Sequence, residues 1–134
     1  MTSLHKHRRI LAVTLECAVV ALAVGIPAWA SAAGEATRGE QLYESRCTGC
    51  HSLDANRIGP MHRGVFGRKA GTVAEFDYSS AVKRSKIVWN EQTLDRWLTD
   101  PEKLIPGQKM GYQVPEAADR ADIVAYLRRE SQRP

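Results

Sequence analysis

The sequence predicts a small all-α domain in which three main helices and two short helices are joined by long loops. Three stretches carry apolar residues at helical spacing, which is typical of amphipathic helices. Residues 52–71 keep no such period and are punctuated by glycine and proline, which predicts an irregular loop. A domain of this size with long loops buries few apolar side chains of its own, so it requires something further to pack against.

The first predicted helix covers residues 34–46, where Leu42, Tyr43 and Arg46 fall at helical spacing. Gly39 and Tyr43 share one face of this helix. A glycine inside a helix costs about 1 kcal/mol relative to alanine. Gly39 therefore indicates either the close approach of another backbone or a position near a frayed helix end.

Two helix starts follow the central loop. Residues 79–85 are predicted to form a short helix capped by Ser79 or Ser80. Asn90 is a good N-cap for the second main helix. The apolar face of that helix is formed by Leu94, Trp97 and Leu98.

The last part of the chain is predicted to form one short helix and one main helix. Asp100-Pro101 ends the preceding helix and begins a short turn of helix with proline at its first position. The final helix is predicted to begin near Pro115-Glu116. Its apolar side holds Ala118, Ile123, Tyr126 and Leu127, and its other, polar side holds Asp119, Arg120, Asp122, Arg128 and Arg129.

The segment Cys47-Thr48-Gly49-Cys50-His51 has the spacing used for covalent attachment of a c-type haem. Each thiol can form a thioether with one vinyl group of the porphyrin, and the adjacent histidine can bind the iron. Two other interpretations are open. A Cys-x-x-Cys pair can be a dithiol redox site, although the expected βαβ context is missing, or half of a zinc site, although no second Cys/His pair follows.

Residues 1–33 have the pattern of an export signal. Basic residues come first, an apolar run covers residues 10–29, and Ala28-Trp29-Ala30 is a cleavage signal. We expect cleavage near Ala33 and export to the periplasm, where thioether attachment of haem also takes place. The alternative is an uncleaved membrane anchor, which Glu16 inside the apolar run disfavours. The functional domain is then residues 34–134.

The formal net charge of the chain is +4, and basic residues of the leader contribute to it. The rest of the chain has no basic stretch interleaved with aromatic residues, so the composition does not support nucleic-acid binding. Met61, His62 and Met110 are the candidates for a sixth iron ligand. Met61 and His62 follow His51 too closely to reach the opposite face easily, whereas Met110 lies in a distant loop bounded by Pro106-Gly107 and Gly111.

The chain resembles the class I cytochromes c, in particular the mitochondrial and short-chain bacterial branch. The resemblance covers nearly all of residues 34–134. Its most specific segments occur in the family's order: 47–51, Gly59-Pro60, 64–71, 76–79, 87–89, Thr93-Leu94, Asp100-Pro101, 106–110 and 120–127.

The resemblance implies an all-α fold wrapped around one covalent haem c, attached through Cys47 and Cys50. It implies His51 and Met110 as the axial ligands, with the Pro60 carbonyl accepting the other ring N–H of His51. It further implies that Gly39 and Tyr43 cross the last helix near Tyr126 and Leu127, and that the rest of the haem pocket is formed by Arg68, Tyr78, Trp89 and Trp97. Of these, Tyr78 and Trp89 would hydrogen-bond a haem propionate, with Arg68 helping to neutralise it. Trp97 replaces the tyrosine that usually lies near the methionine sulfur.

The function implied is one-electron transfer in the periplasm between redox proteins, namely a membrane-bound or periplasmic reductase and an oxidase. No small-molecule substrate, no nucleic acid and a monomeric state are expected. Arg46, Lys103 and Lys109 are candidates for a weak positive docking rim. The alternatives are a fixed haem relay subunit of a dehydrogenase or oxidase, and a haem peroxidase or ligand sensor with an open sixth site.

Overall fold

The computed structural model describes residues 34–133, so the leader expected at residues 1–33 lies outside the described part of the chain. Its helices are α1 (Ala36–Arg46), α2 (Ser80–Arg84), α3 (Glu91–Thr99), α4 (Pro101–Leu104) and α5 (Ala117–Ser131). Within these residues the only extended pairing is an isolated bridge between Lys69 and Val88. The all-α prediction of three main and two short helices is confirmed.

The helix starts are fixed by local side-chain chemistry. Ser79 caps α2, Asn90 forms a reciprocal capping box with Thr93 at α3, and Asp100 caps α4 with Pro101 at its first position. Glu35 caps α1 by accepting hydrogen bonds from two backbone N–H groups of its first turn, and these bonds lower the pKa of its carboxyl. The starts of α2, α3 and α4 are those predicted.

Helices α1 and α5 pack against each other, and α3 packs against α5. Gly39 is at the α1–α5 contact: a Cβ atom there would lie 1.9 Å from the Asp122 carbonyl oxygen and 2.9 Å from Tyr126 Cβ. The interpretation of Gly39 as a point of close backbone approach is therefore confirmed. Tyr43 and Tyr126 meet in the same contact with ring centroids 5.1 Å apart.

The polar side predicted for α5 is wrong for two of its members, because Asp119 and Asp122 are buried. Both carboxylates form salt bridges with Arg38 of α1, and Arg46 adds a second pair to Asp119 at 2.9 Å. The Glu35 backbone N–H also donates to Asp122 at 2.6 Å. Buried carboxylates are tolerated when they are paired in this way, so these two residues fasten α5 to α1.

The central loop, residues 52–71, has no regular structure, as predicted, but it is not detached from the helices. Buried apolar residues of loops and helices form one core, to which partly buried Phe66, Tyr78, Trp97 and Met110 also contribute.

None of the helices within residues 34–133 is long and apolar enough to cross a membrane.

Candidate haem-binding site

The end of α1 positions the cysteine-histidine segment. The Cys47 backbone N–H donates to the Tyr43 carbonyl at 2.8 Å, so the segment continues directly from the last turn of the helix. The N–H groups of Cys50 and His51 then both donate to the Cys47 carbonyl, at 3.1 and 2.9 Å. This tight turn holds both thiols, which are free, and the imidazole on one short stretch of backbone.

The orientation of the His51 ring is fixed by two neighbours. Its Nδ1 lies 2.8 Å from the Pro60 carbonyl oxygen. Because a carbonyl only accepts hydrogen bonds, Nδ1 carries the proton and the lone pair of Nε2 is left for a metal. A Cβ atom on Gly59 would lie 2.1 Å from His51 Cε1, so only glycine fits beside this ring.

The protonation state of His51 also suits an iron ligand. Burial lowers the pKa of its imidazole, and the Pro60 hydrogen bond opposes this only in part. A histidine must be neutral to bind a metal ion, and the lowered pKa favours that state at pH 7.

Residues 52–60 fold back onto the segment and thereby bring the Pro60 carbonyl to His51. The Gly59 backbone N–H donates to the Cys50 carbonyl at 2.8 Å, and the Arg57 guanidinium donates to the Thr48 carbonyl at 2.6 Å. These contacts explain how a loop without regular structure can position one carbonyl accurately.

Met110 is partly buried, and its thioether contacts the α3 tryptophan. Trp97 Nε1 donates to Met110 Sδ over 3.1 Å. Trp97 is itself packed edge-to-face against Trp89, with ring centroids 5.3 Å apart. The sulfur is therefore held at a defined place beside the core and is not a flexible surface thioether.

The loop that carries Met110 is held by hydrogen bonds to Glu102, a contact that no pattern in the sequence predicts. Glu102 accepts hydrogen bonds from the Gly107 backbone N–H at 2.9 Å and from Gln108 Nε2 at 3.2 Å. Gln108 Oε1 in turn accepts from the Met110 backbone N–H. Glu102, the second residue of the preceding α4, thus restrains the methionine through two linked contacts.

Arg68 is a half-buried cation that has no carboxylate partner in the part of the chain that the structure describes. Its guanidinium donates to the carbonyls of Arg63 and Met61, at 2.8 and 2.9 Å. Burial lowers the pKa of Arg68 and raises the pKa of the nearby Tyr78. A half-buried cation hydrogen-bonded only to carbonyls suits an anionic group such as a haem propionate.

His62 lies on the same side as His51 and not across from it. The two rings are stacked, with centroids 4.0 Å apart and an angle of 21° between their planes. His62 is therefore in direct contact with the candidate proximal ligand. From the sequence His62 is only an alternative iron ligand, because nothing local to residue 62 predicts this stacking.

These residues fit a covalent haem. Two free thiols adjoin an imidazole with an available Nε2, a thioether is held beside the core, and an unpaired cation is available for a propionate. Imidazole and thioether are ligands that haem iron accepts. A small helical domain with such a site defines the class of c-type haem proteins.

The chain belongs to the cytochrome c family, whose profile, described as cytochrome c, matches residues 36–130. It is 43% identical to cytochrome c 2.1 of Caenorhabditis briggsae over 105 residues, which are 76% of this chain and 94% of that protein. It is 41% identical to cytochrome c of Arabidopsis thaliana over 102 residues, 73% of this chain and 91% of that one.

A solved structure gives the same result for the fold. Cytochrome cH from Methylobacterium extorquens matches with a TM-score of 0.68 and 37% identity, over 72% of this chain and 99% of that chain. The resemblance to class I cytochromes c and the fold it implies are confirmed. Members of this family carry covalently attached haem c, and Cys47 and Cys50 have the required spacing.

Proposed function

We propose that this protein is a periplasmic electron carrier whose single haem iron is bound by His51 and Met110. The observation that carries the proposal is the hydrogen bond from Trp97 Nε1 to Met110 Sδ, because it holds the thioether in a defined position while His51 keeps Nε2 free. When bound, the haem supplies an iron that takes up and releases one electron.

The surrounding side chains support electron transfer over chemistry on a bound substrate. A thioether ligand favours ferrous iron and raises the reduction potential. An enzyme or ligand sensor would need an acid or base on an open face opposite His51. His62 is stacked on His51 itself, so it is not available for that role.

A one-electron redox titration with carbon monoxide added to the reduced protein tests this function. We expect a single one-electron transition and no change in the ferrous spectrum on adding carbon monoxide, because His51 and Met110 would together leave no position on the iron free. Ready carbon monoxide binding together with peroxide turnover would support the peroxidase or sensor alternative instead.

The proposed partners are a reductase and an oxidase that dock transiently near the haem-bearing segment, where Cys50 is exposed. Of the three candidate rim residues, Arg46 is paired with buried Asp119 and Lys109 lies 3.9 Å from Asp77. Arg46 is therefore a weak candidate for the positive rim, whereas Lys109, whose pair with Asp77 is solvent-exposed, and exposed Lys103 remain candidates. Co-purification of the protein with an enzyme complex in stoichiometric amounts would favour a fixed relay subunit.

The periplasmic location rests on the leader pattern of residues 1–33. Cleavage near Ala33 predicts an N-terminus near Ser31 or Gly34 in the protein isolated from the periplasm. N-terminal sequencing of that fraction tests this directly. Recovery of the full-length chain only from the membrane fraction would indicate a tethered carrier.

Replacing Glu102 with alanine is expected to loosen the Met110 loop. Two hydrogen bonds to the loop are lost, each contributing about 0.5–1.5 kcal/mol. Added imidazole should therefore displace Met110 from the ferric protein about tenfold more readily, measured by spectral titration. Glu116→Ala is the matched control, since Glu116 makes no side-chain capping bond at α5. Equal imidazole affinity in both variants would show that Glu102 does not position Met110.

A further inference from the structure

Two buried side-chain polar atoms lack a hydrogen-bond partner within residues 34–133, namely Tyr43 Oη and His62 Nδ1. Leaving such a group unsatisfied destabilises the fold, because its hydrogen bonds to water are lost and not replaced, so it is rare in folded proteins. The two residues are neighbours, with ring centroids 5.7 Å apart in an edge-on arrangement. Both unsatisfied atoms thus belong to one part of the core.

The pair lies directly behind the candidate proximal ligand. His62 stacks on His51, whose own Nδ1 is occupied by the Pro60 carbonyl. Tyr43 comes from α1 and is 2% exposed, so it forms the next layer of the core. An apolar side chain at either position would fill the same space without an unsatisfied polar atom.

The chemistry of the two groups is complementary. The phenol O–H of Tyr43 can donate, and Nδ1 of a neutral imidazole can accept. Both polar atoms are buried within the core, and the His62 ring lies in stacked contact with His51.

We propose that Tyr43 and His62 form a polar pair that acts through His51 to stabilise ferric iron and so lower the reduction potential of this cytochrome. The proposal rests on His51 as an iron ligand, which belongs to the proposed function. Oxidation adds one positive charge to the site, and a nearby buried dipole can stabilise that charge in a way that hydrocarbon cannot. Both residues are positioning residues, because they act on the iron only through His51.

The test is the reduction potential of His62→Leu, Tyr43→Phe and the double variant at one fixed pH. Each single variant should raise the ratio of ferrous to ferric protein about three- to tenfold at a fixed ambient potential, where tenfold corresponds to ~59 mV for one electron. The double variant should shift no further than the larger single shift, since the two groups act together. Tyr126→Phe is the matched control, because Tyr126 also packs on Tyr43 and should leave the potential unchanged.

A purely structural role is excluded by unfolding the ferric and ferrous forms separately. We expect each variant to lower the free energy of unfolding of the ferric form more than that of the ferrous form. The difference between the two losses should equal the free energy that corresponds to the measured shift in reduction potential. Equal losses in both forms, or an unchanged or lowered potential in Tyr43→Phe, would overturn it. Tyr43→Phe removes one oxygen atom, so it keeps the test decisive if His62→Leu fails to fold.

The failure of the proposed function is distinguishable from the failure of this inference. Loss of Met110 ligation would appear in the wild-type spectrum, before any variant is made. The potential shift of Tyr43→Phe relative to Tyr126→Phe depends only on His51 being an iron ligand.

Discussion

Replacing Met110 with alanine is expected to open the sixth position of the iron. The ferric protein should lose the red charge-transfer absorption of methionine ligation, and the ferrous protein should bind carbon monoxide. The reduction potential should fall by roughly 0.1–0.3 V, within the ~0.8 V range that axial ligands span, because a soft thioether that favours ferrous iron is lost. Optical spectroscopy and redox titration measure all three changes.

Met61→Ala is the matched control for this prediction. Met61 was the other methionine considered as a ligand, and its backbone carbonyl accepts a hydrogen bond from Arg68, a contact that survives the substitution. We expect the spectrum of Met61→Ala to match that of the wild type. The assignment of Met110 would be wrong if Met61→Ala lost the red absorption and Met110→Ala retained it.

Replacing Gly39 with alanine is expected to destabilise the fold, although alanine is the better helix former by about 1 kcal/mol. The added Cβ would lie 1.9 Å from the Asp122 carbonyl oxygen, which is backbone and cannot rotate away. Helices α1 and α5 must then separate, and overpacking of this kind costs about 1–3 kcal/mol. Urea unfolding followed by tryptophan fluorescence measures the loss.

Gly49→Ala tests whether the effect at Gly39 comes from the helix contact. A Cβ atom on Gly49 meets nothing within 4 Å, so this variant should unfold close to the wild type. Unfolding free energies of the two variants within about 0.5 kcal/mol of each other would contradict the account of α1–α5 packing.

Local chemistry made much of the fold predictable. The caps at Ser79, Asn90 and Asp100 depend on residues within one turn of the helix start, and these caps are found where the sequence placed them. The family and the fold could also be predicted, because many short motifs occur in the order found in class I cytochromes c. The class of the site followed from the five residues that end in His51.

Contacts between distant parts of the chain could not be predicted in the same way. Asp119 and Asp122 resembled a solvated helix face, because their partner Arg38 lies 81 and 84 residues earlier in the chain. His62 stacks on His51 only because the loop between them folds back at Gly59. From the sequence alone Glu102 resembles an ordinary solvated surface charge, because nothing around residue 102 indicates its hydrogen bond to the Met110 loop.

The central claim is that His51 and Met110 together close the iron site. The ferric wild-type spectrum in the red tests it most directly, because that charge-transfer absorption arises from iron bound by a methionine sulfur. We predict that the absorption is present at pH 7 and disappears in Met110→Ala. Its absence from the wild-type protein, combined with carbon monoxide binding to the ferrous form, would contradict the claim.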